Sequence, residues 1–476
     1  MSELFADVAD PYLRHCLKIV QTTPTNFIYI GSGAKIAYRW LNVELDAFHQ
    51  IACDAEAASS SSSSSSASSF SRLPPPPKRS DVPLLLHCDF RAGMDMWDPL
   101  FLAHLLKARP LVIFDPCHCG RSVSNRDTRP YMGSFYKWAK HAVAIADSLG
   151  MSEYDVLGLA MGGAAALLTA LYPSPATTRV RKIVAAATTG PAISARLYEE
   201  CSRSSMSIAW PRDDWNLMNA SRLSLNDGTK PDEVKQALKH TFFTESAAGQ
   251  HALEQHWERI NSFAQYRSKL PSEAPFIGLL EDRRELGPLR CQRLAWRSWE
   301  TLPQQRGGTY TDPMARINVP VLVMNGINNT LIPASRSWEL MCRLPKPALN
   351  LYEDSGAGFI WQYPERVAKD INYFLDFDHS NLQPQVLPSA SLPKATPLLP
   401  NGATYPPSTF VPAPPSALPP QTSVPGQSPF ASTLNISHPY FANTPTGHQQ
   451  SHQAYLHVPP NFHPKEDERL ARASKL

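Results

Sequence analysis

Short apolar runs alternate with helical stretches along most of the chain, and this alternation restricts the fold more than any other feature. Apolar runs at 82–87, 110–115, 154–159, 181–187 and 319–325 are interleaved with helical periodicity at 97–106, 135–149, 161–171 and 335–343. Runs apolar at consecutive positions are strands buried on both faces, so the pattern predicts an α/β architecture: a mostly parallel sheet with helices on both sides. Two earlier strands, 27–30 and 34–40, meet across Gly31-Ser32-Gly33 and predict an antiparallel hairpin leading in. A strand at 349–352 and a helix at 364–375 bring the expected sheet to eight strands.

Three segments interrupt the alternation. Residues 54–80 hold an unbroken serine run, Ser59 to Ser66, and then Pro74 to Pro77, a composition with too little apolar surface to offset ordering, and a disordered loop is expected. Residues 192–306 are helical in character and carry Trp210, Trp215, Trp257, Trp296 and Trp299, which predicts a cap inserted between two core strands, with its aromatics used for packing. From 379 to 476 proline dominates and periodicity vanishes, so a disordered tail is expected behind a folded domain at 10–378. That tail ends in Ser474-Lys475-Leu476, the form of a peroxisomal address read by an import receptor at a free C-terminus. Peroxisomal localisation, with that receptor as a partner, is the expectation.

Charge excludes other routes to function. Forty-five Lys and Arg against 42 Asp and Glu leave a net +3, too even for a nucleic-acid or anionic-membrane surface. No apolar run reaches the roughly 20 residues of a membrane span, and the acidic start MSELFADVADPYL is unlike a secretory leader. The 8 cysteines follow no framework spacing and are expected as reduced thiols. Cys117-His118-Cys119 lacks the second half of a zinc site, so no metal and no cofactor is expected.

The sharpest motif is Gly158-Leu159-Ala160-Met161-Gly162-Gly163, a strand running through a glycine-flanked turn into a helix. This is the setting of a nucleophile elbow, G-x-S-x-G, with alanine at its centre. Around it stand His87-Cys88-Asp89-Phe90-Arg91 with Trp97-Asp98-Pro99, Asp115-Pro116-Cys117-His118-Cys119-Gly120-Arg121-Ser122, Asn325-Gly326, and Ser355-Gly356-Ala357-Gly358-Phe359. In this order the motifs make 10–378 resemble the α/β-hydrolase superfamily, with the oxyanion loop, the elbow and the acid and base loops in sequence.

The resemblance implies the α/β-hydrolase fold and places the catalytic triad on Ala160 (nucleophile), Asn329 (acid) and Ala357 (base). None has the required side chain. In a serine hydrolase the loss of nucleophile or base removes on the order of a millionfold in turnover, about 8 kcal/mol of transition-state stabilisation. The resemblance still implies an oxyanion-type pocket at His87, Cys88, Asp89 and Met161, Cys88 being expected as a structural thiol. The chain is also similar, more loosely, to peroxisomal hydrolase-like proteins of fungal secondary metabolism. A pseudoenzyme binding an acyl- or polyketide-like small molecule or a partner protein is therefore expected. The alternative is an enzyme of such a pathway, hydrolase-like or a lyase or isomerase, working without the triad. Glu353, Asp354 and Ser355 are expected as solvated loop residues, and His240, His251 and His256 on the surface of the cap.

Overall fold

The computed structural model describes residues 8–30, 33–44, 46–61, 75–89, 92–117, 119–124, 134–172, 178–191, 231–270, 292, 295, 296, 299 and 312–379. The tail with Ser474, Lys475 and Leu476, the serine run beyond Ser61, His118, the His240 side chain, Trp210 and Trp215 lie outside the described residues.

The elements in chain order are α1 (Pro11–Thr22), β1 (Asn26–Ile30), β2 (Ala34–Leu41), α2 (Ala47–Ser61), β3 (Leu84–His87), α3 (Pro99–Leu106), β4 (Leu111–Phe114), β5 (Val123–Ser124), α4 (Phe135–Ser148), β6 (Glu153–Leu159), α5 (Met161–Thr169), β7 (Arg179–Ala186), α6 (Pro231–Thr241), α7 (Ala247–Arg267), β8 (Val321–Gly326), α8 (Ala334–Arg343), β9 (Pro347–Tyr352), α9 (Phe359–Gln362) and α10 (Pro364–Asp376). Eight strands form one path, β1-β2-β4-β3-β6-β7-β8-β9, and the short β5 pairs with β2 beside it. The β1/β2, β2/β4 and β2/β5 pairs are antiparallel and every later pair is parallel. The expected hairpin is present, with Ile30 opposite Ala34.

Alternation along each strand divides the core between the two faces. Leu84, Leu86, Leu157, Val184 and Met324 join one apolar cluster with α1, α3 and α10. Leu85, Val156, Ile183 and Val323 join the other with α4, α5 and α8. Helix starts are set locally. Asp10 and Asp98 accept the first free amides of α1 and α3, ahead of Pro11 and Pro99, and Ser134 does the same for α4.

The serine-rich interruption begins later than its composition suggests. α2 continues through Ser61 because Ala52, Ala55, Ala57 and Ala58 favour helix, and buried Phe48 anchors its start. In the cap, α6 and α7 are helical as expected. Trp299 is buried with its indole N–H donating to the Thr189 carbonyl at 3.0 Å, and both Trp296 and Trp299 meet Phe135 edge-on.

Candidate functional site

The carboxyl ends of β6, β7 and β8 are laced side by side. Ala160 N–H donates to Ala186 O at 2.8 Å, and Ala187 N–H donates to Met324 O at 2.7 Å. Between β6 and α5, Ala160 takes φ 49° and ψ −109°, a region that L side chains rarely enter. Such a residue stores about 1–3 kcal/mol. The turn tolerates no bulk around it. A Cβ on Gly158 would sit 2.1 Å from Gly162 O, and one on Gly162 would sit 2.5 Å from His87 O. The backbone of an elbow is therefore present, carrying a methyl group with no lone pair to attack a carbonyl.

Asn329 follows β8 and is buried as a turn builder. Its Oδ1 accepts from the Leu331 and Ile332 amides at 3.0 and 3.1 Å, and its Nδ2 donates to Asn325 Oδ1 at 2.8 Å. Asn325 in turn donates to Ile332 O and Ser337 Oγ. Ala357 is 1% exposed and shares an apolar cluster with Ala160, Phe242, Phe359 and Trp361. Its loop is tied to the cap through Gly358 N–H donating to Phe242 O at 2.8 Å.

The neighbouring loop residues differ from the solvated state expected of them. Ser355 is fully buried and donates to Tyr352 O at 3.0 Å. Asp354, at φ 43°, accepts from Thr244 Oγ1 at 2.9 Å and Ser246 Oγ at 2.7 Å, the hydroxyls that open α7. Only Glu353 faces solvent, paired with Arg366. The sequence missed the role of Asp354 because it depends on the cap folding back.

A cavity of about 40 Å³ lies between the oxyanion loop and the cap, lined by Cys88, Asp89, Trp97, Leu238, Phe242 and Trp361 among others. Of the four residues placed in the pocket by sequence, Cys88 and Asp89 line it. His87 instead packs edge-on against Phe114, 4.9 Å between centroids, and burial pushes its imidazole down to about 3, with His141 adding to the effect. Met161 packs into the cluster on the α4 and α5 face of the sheet. The Cys88 thiol is buried, donates to Phe114 O at 3.6 Å, and has its pKa pushed well up by burial and by Asp115, so it has no thiolate to offer. Among the described residues, no group of three or more His, Cys, Asp or Glu could hold a metal ion.

A polar cluster that the sequence did not single out fastens the cap. Asp98, the N-cap of α3, accepts from His256 Nδ1 at 2.8 Å and from Arg259 Nε and Nη2 at 2.9 and 2.6 Å. Burial pulls the Asp98 carboxyl upward, but the Arg259 charge and the His256 hydrogen bond outweigh it and hold the group at about 2. Burial pushes the His256 pKa down despite the carboxylate, so the ring is neutral, donates through Nδ1, and leaves a buried Nε2 with no partner. The ring stacks on Trp361 at 4.3 Å and 3°. His256 is thus buried, whereas the exposed position expected of it holds for His251. The one signal available was the spacing of His256 and Arg259, three apart and so on one helix face.

No family model matches the sequence, and no curated protein matches it. Solved structures do. An α/β-hydrolase fold protein from Chitinophaga pinensis is 21% identical over 75% of this chain and 99% of its own, with a TM-score of 0.51. The fold is the α/β-hydrolase fold. A hydrolase from Pseudomonas aeruginosa, 16% identical over 75% of this chain and 100% of its own, gives 0.46. An esterase from Exiguobacterium antarcticum, 15% identical over 74% and 100%, also gives 0.46. Among the described residues of this α/β-hydrolase fold, no helix is long and apolar enough to cross a membrane.

Proposed function

We propose that the protein is a non-hydrolytic member of this fold, addressed to the peroxisome, that holds a small acyl-type ligand without covalent chemistry. One observation carries the reading: the elbow keeps its strained backbone at φ 49°, and the side chain it presents is the methyl of Ala160. Asn329 and Ala357 support it, the first because its polar atoms are engaged in building a turn, the second because it lies in an apolar cluster. The C-terminal Ser474-Lys475-Leu476 supports the address. A polyketide-sized ligand does not fit the cavity as it stands, since about 40 Å³ is well below the roughly 150 Å³ of an apolar cavity that admits benzene. Such a ligand requires the cap to lift.

The expected outcome is no labelling by a serine-directed fluorophosphonate and no turnover of aryl esters above background. Stoichiometric labelling mapped to one serine overturns the reading. The triple variant Ala160→Ser, Asn329→Asp, Ala357→His tests the alignment behind it. Ester turnover that needs all three substitutions supports the assignment of positions.

A second reading, proton transfer in a lyase or isomerase step, is favoured by Asp89, the one carboxylate among the described residues that line the cavity. Turnover of a carbonyl substrate that disappears in Asp89→Asn would support it over simple binding.

A further inference from the structure

The two ends of the sheet are not protected alike. At one end β9 begins with Pro347 and runs straight into Glu353 and Asp354. The carbonyls of Lys346 and Tyr352 accept from the Val321 and Ile327 amides, so Pro347, Leu349 and Leu351 turn their backbone outward, and Pro347 has no N–H to offer there. Proline and nearby charge are the ordinary guards of an edge strand. At the other end β1 has neither. No proline lies within Asn26–Ile30, no charge occurs from Gln21 through Ala34, and Phe27-Ile28-Tyr29-Ile30 is a run of strong strand formers.

The open side of β1 can be read residue by residue. Ile30 O accepts from Gly33 N–H at 2.9 Å inside the hairpin, and Ile30 pairs with Ala34. By alternation Asn26 and Ile28 also turn their backbone to β2, while Phe27 and Tyr29 turn theirs outward, where nothing pairs with β1 among the described residues. The side chains of Phe27 and Tyr29 are 43% and 76% exposed. Lys35 pairs with Tyr29 on one side and with Val123, 56% exposed, on the other, and its ammonium lies 4.2 Å from the centre of the Phe27 ring. Paired residues share a face, so Phe27, Tyr29 and Val123 form an apolar patch beside the open edge. Ile28 and Ile30 pack on the opposite face, in the cluster that includes α4.

We infer that β1 is the pairing edge for a second copy of this chain, the two β1 strands running antiparallel about a twofold axis at Ile28. The strand is complementary to itself in that register. Phe27 meets the partner's Tyr29, and Tyr29 meets the partner's Phe27, all with backbone turned outward, so each pair exchanges both of its N–H···O=C bonds. The aromatic rings of both copies then line one face as cross-strand pairs, and the strand brings no charge of its own to the seam. Sliding the register by two residues sets an aromatic ring against Thr25 or Gly31 instead. The pairing uses the open edge of both copies, so it closes at two. A strand this short gives an association of the weak, concentration-dependent class. Among the described residues that line the cavity none is on β1 or β2, so the dimer stands apart from the ligand reading.

The test uses the full-length chain. Sedimentation velocity between about 1 and 200 µM is expected to show a reversible monomer–dimer equilibrium. Phe27→Lys with Tyr29→Lys in one chain sets like charges against each other in both pairs and is expected to weaken the dimer by about tenfold or more. Phe27→Lys with Tyr29→Glu sets opposite charges there and is expected to dimerise about tenfold more tightly than the double-lysine chain. Tyr29→Pro removes an outward N–H and leaves the β2 ladder whole, so it too is expected to weaken pairing. Amide exchange at Phe27 and Tyr29 is expected to be fast in dilute protein and to slow as concentration rises. If a charged variant fails to fold by circular dichroism, Tyr29→Pro and the exchange series decide.

A monomer at every concentration overturns the inference. Fast exchange at both amides would then leave the edge to a different protein, and slow exchange in dilute protein would give it to another segment of the same chain. A dimer that the double-lysine substitution leaves unchanged pairs elsewhere and overturns the inference as well. Open-ended assembly, or a Lys/Glu chain no tighter than the Lys/Lys chain, excludes the twofold register and has the same force.

Discussion

Ala160 and Ala357 are 8% and 1% exposed, and Asp98 and His256 are each 0% exposed, yet the two buried places have been treated in opposite ways. Ala160 and Ala357 present only methyl side chains, the first on a strained backbone. At the seam between body and cap a carboxylate, an imidazole and a guanidinium are packed together with good geometry, far more polar chemistry than the elbow retains. Desolvating charge is tolerated only where partners repay it in place. Asp98 has four, the amides of Leu100 and Phe101 and the side chains of His256 and Arg259. Buried polarity in this chain thus serves attachment of the cap, whereas Ala160 and Ala357 share an apolar cluster with Phe242 of the cap.

The largest effect is expected from Asp98→Ala, which leaves the Arg259 charge and the His256 ring without their carboxylate and α3 without its N-cap. A loss of about 3–5 kcal/mol is expected in urea unfolding monitored by tryptophan fluorescence. A loss under about 1 kcal/mol would mean that the seam does not fasten the cap and would remove the contrast.

His256→Gln is expected to cost about 1–2 kcal/mol at pH 7, because Arg259 still pairs with Asp98. It also sharpens the contrast through pH. The His256 pKa is lower in the folded chain than the unfolded value near 6.5, so the unfolded state takes up the proton first. The ring's contribution is full above 6.5 and is lost as pH falls through the folded value. Wild type should therefore lose stability relative to His256→Gln between pH 7 and 4 in paired melts, and parallel curves would show that the ring is not buried neutral. Asp98 acts only further down, its contribution being present above 3.8 and lost as pH falls through about 2.

The smallest effect is expected at the elbow. Ala160→Gly relieves a positive φ, gives up one buried methyl worth about 0.8 kcal/mol, and loosens the unfolded chain, so the net change is within about 1 kcal/mol of zero. A loss above about 2 kcal/mol by thermal melting would show that the methyl packs as a core element in its own right.

Much of this was legible in the residues. The doubly covered, mostly parallel sheet follows from apolar runs such as Leu84-Leu85-Leu86, and the elbow follows from Gly158 and Gly162, whose close contacts admit no side chain. Motif order alone carries the assignment of Ala160, Asn329 and Ala357 to the triad positions. What was not legible depends on long-range return of the chain. β5 is two residues long and exists only because β2 lies opposite. Helix α2 is hidden because serine composition masks its alanines. His256 looks like any polar residue of a helix until α7 folds down and Asp98, 158 positions away, meets its Nδ1.

The left-handed bend at Ala160 has a consequence for how this lineage could change. Alanine and serine codons can differ at one nucleotide, so a hydroxyl is always one mutation from appearing at a corner already bent to expose it. Under the proposed non-hydrolytic reading, such a hydroxyl would still need a proton acceptor, and position 357 shares its apolar cluster with Phe242 and Phe359. The scarce ingredient is room for a base, and the angle of attack has been kept in reserve.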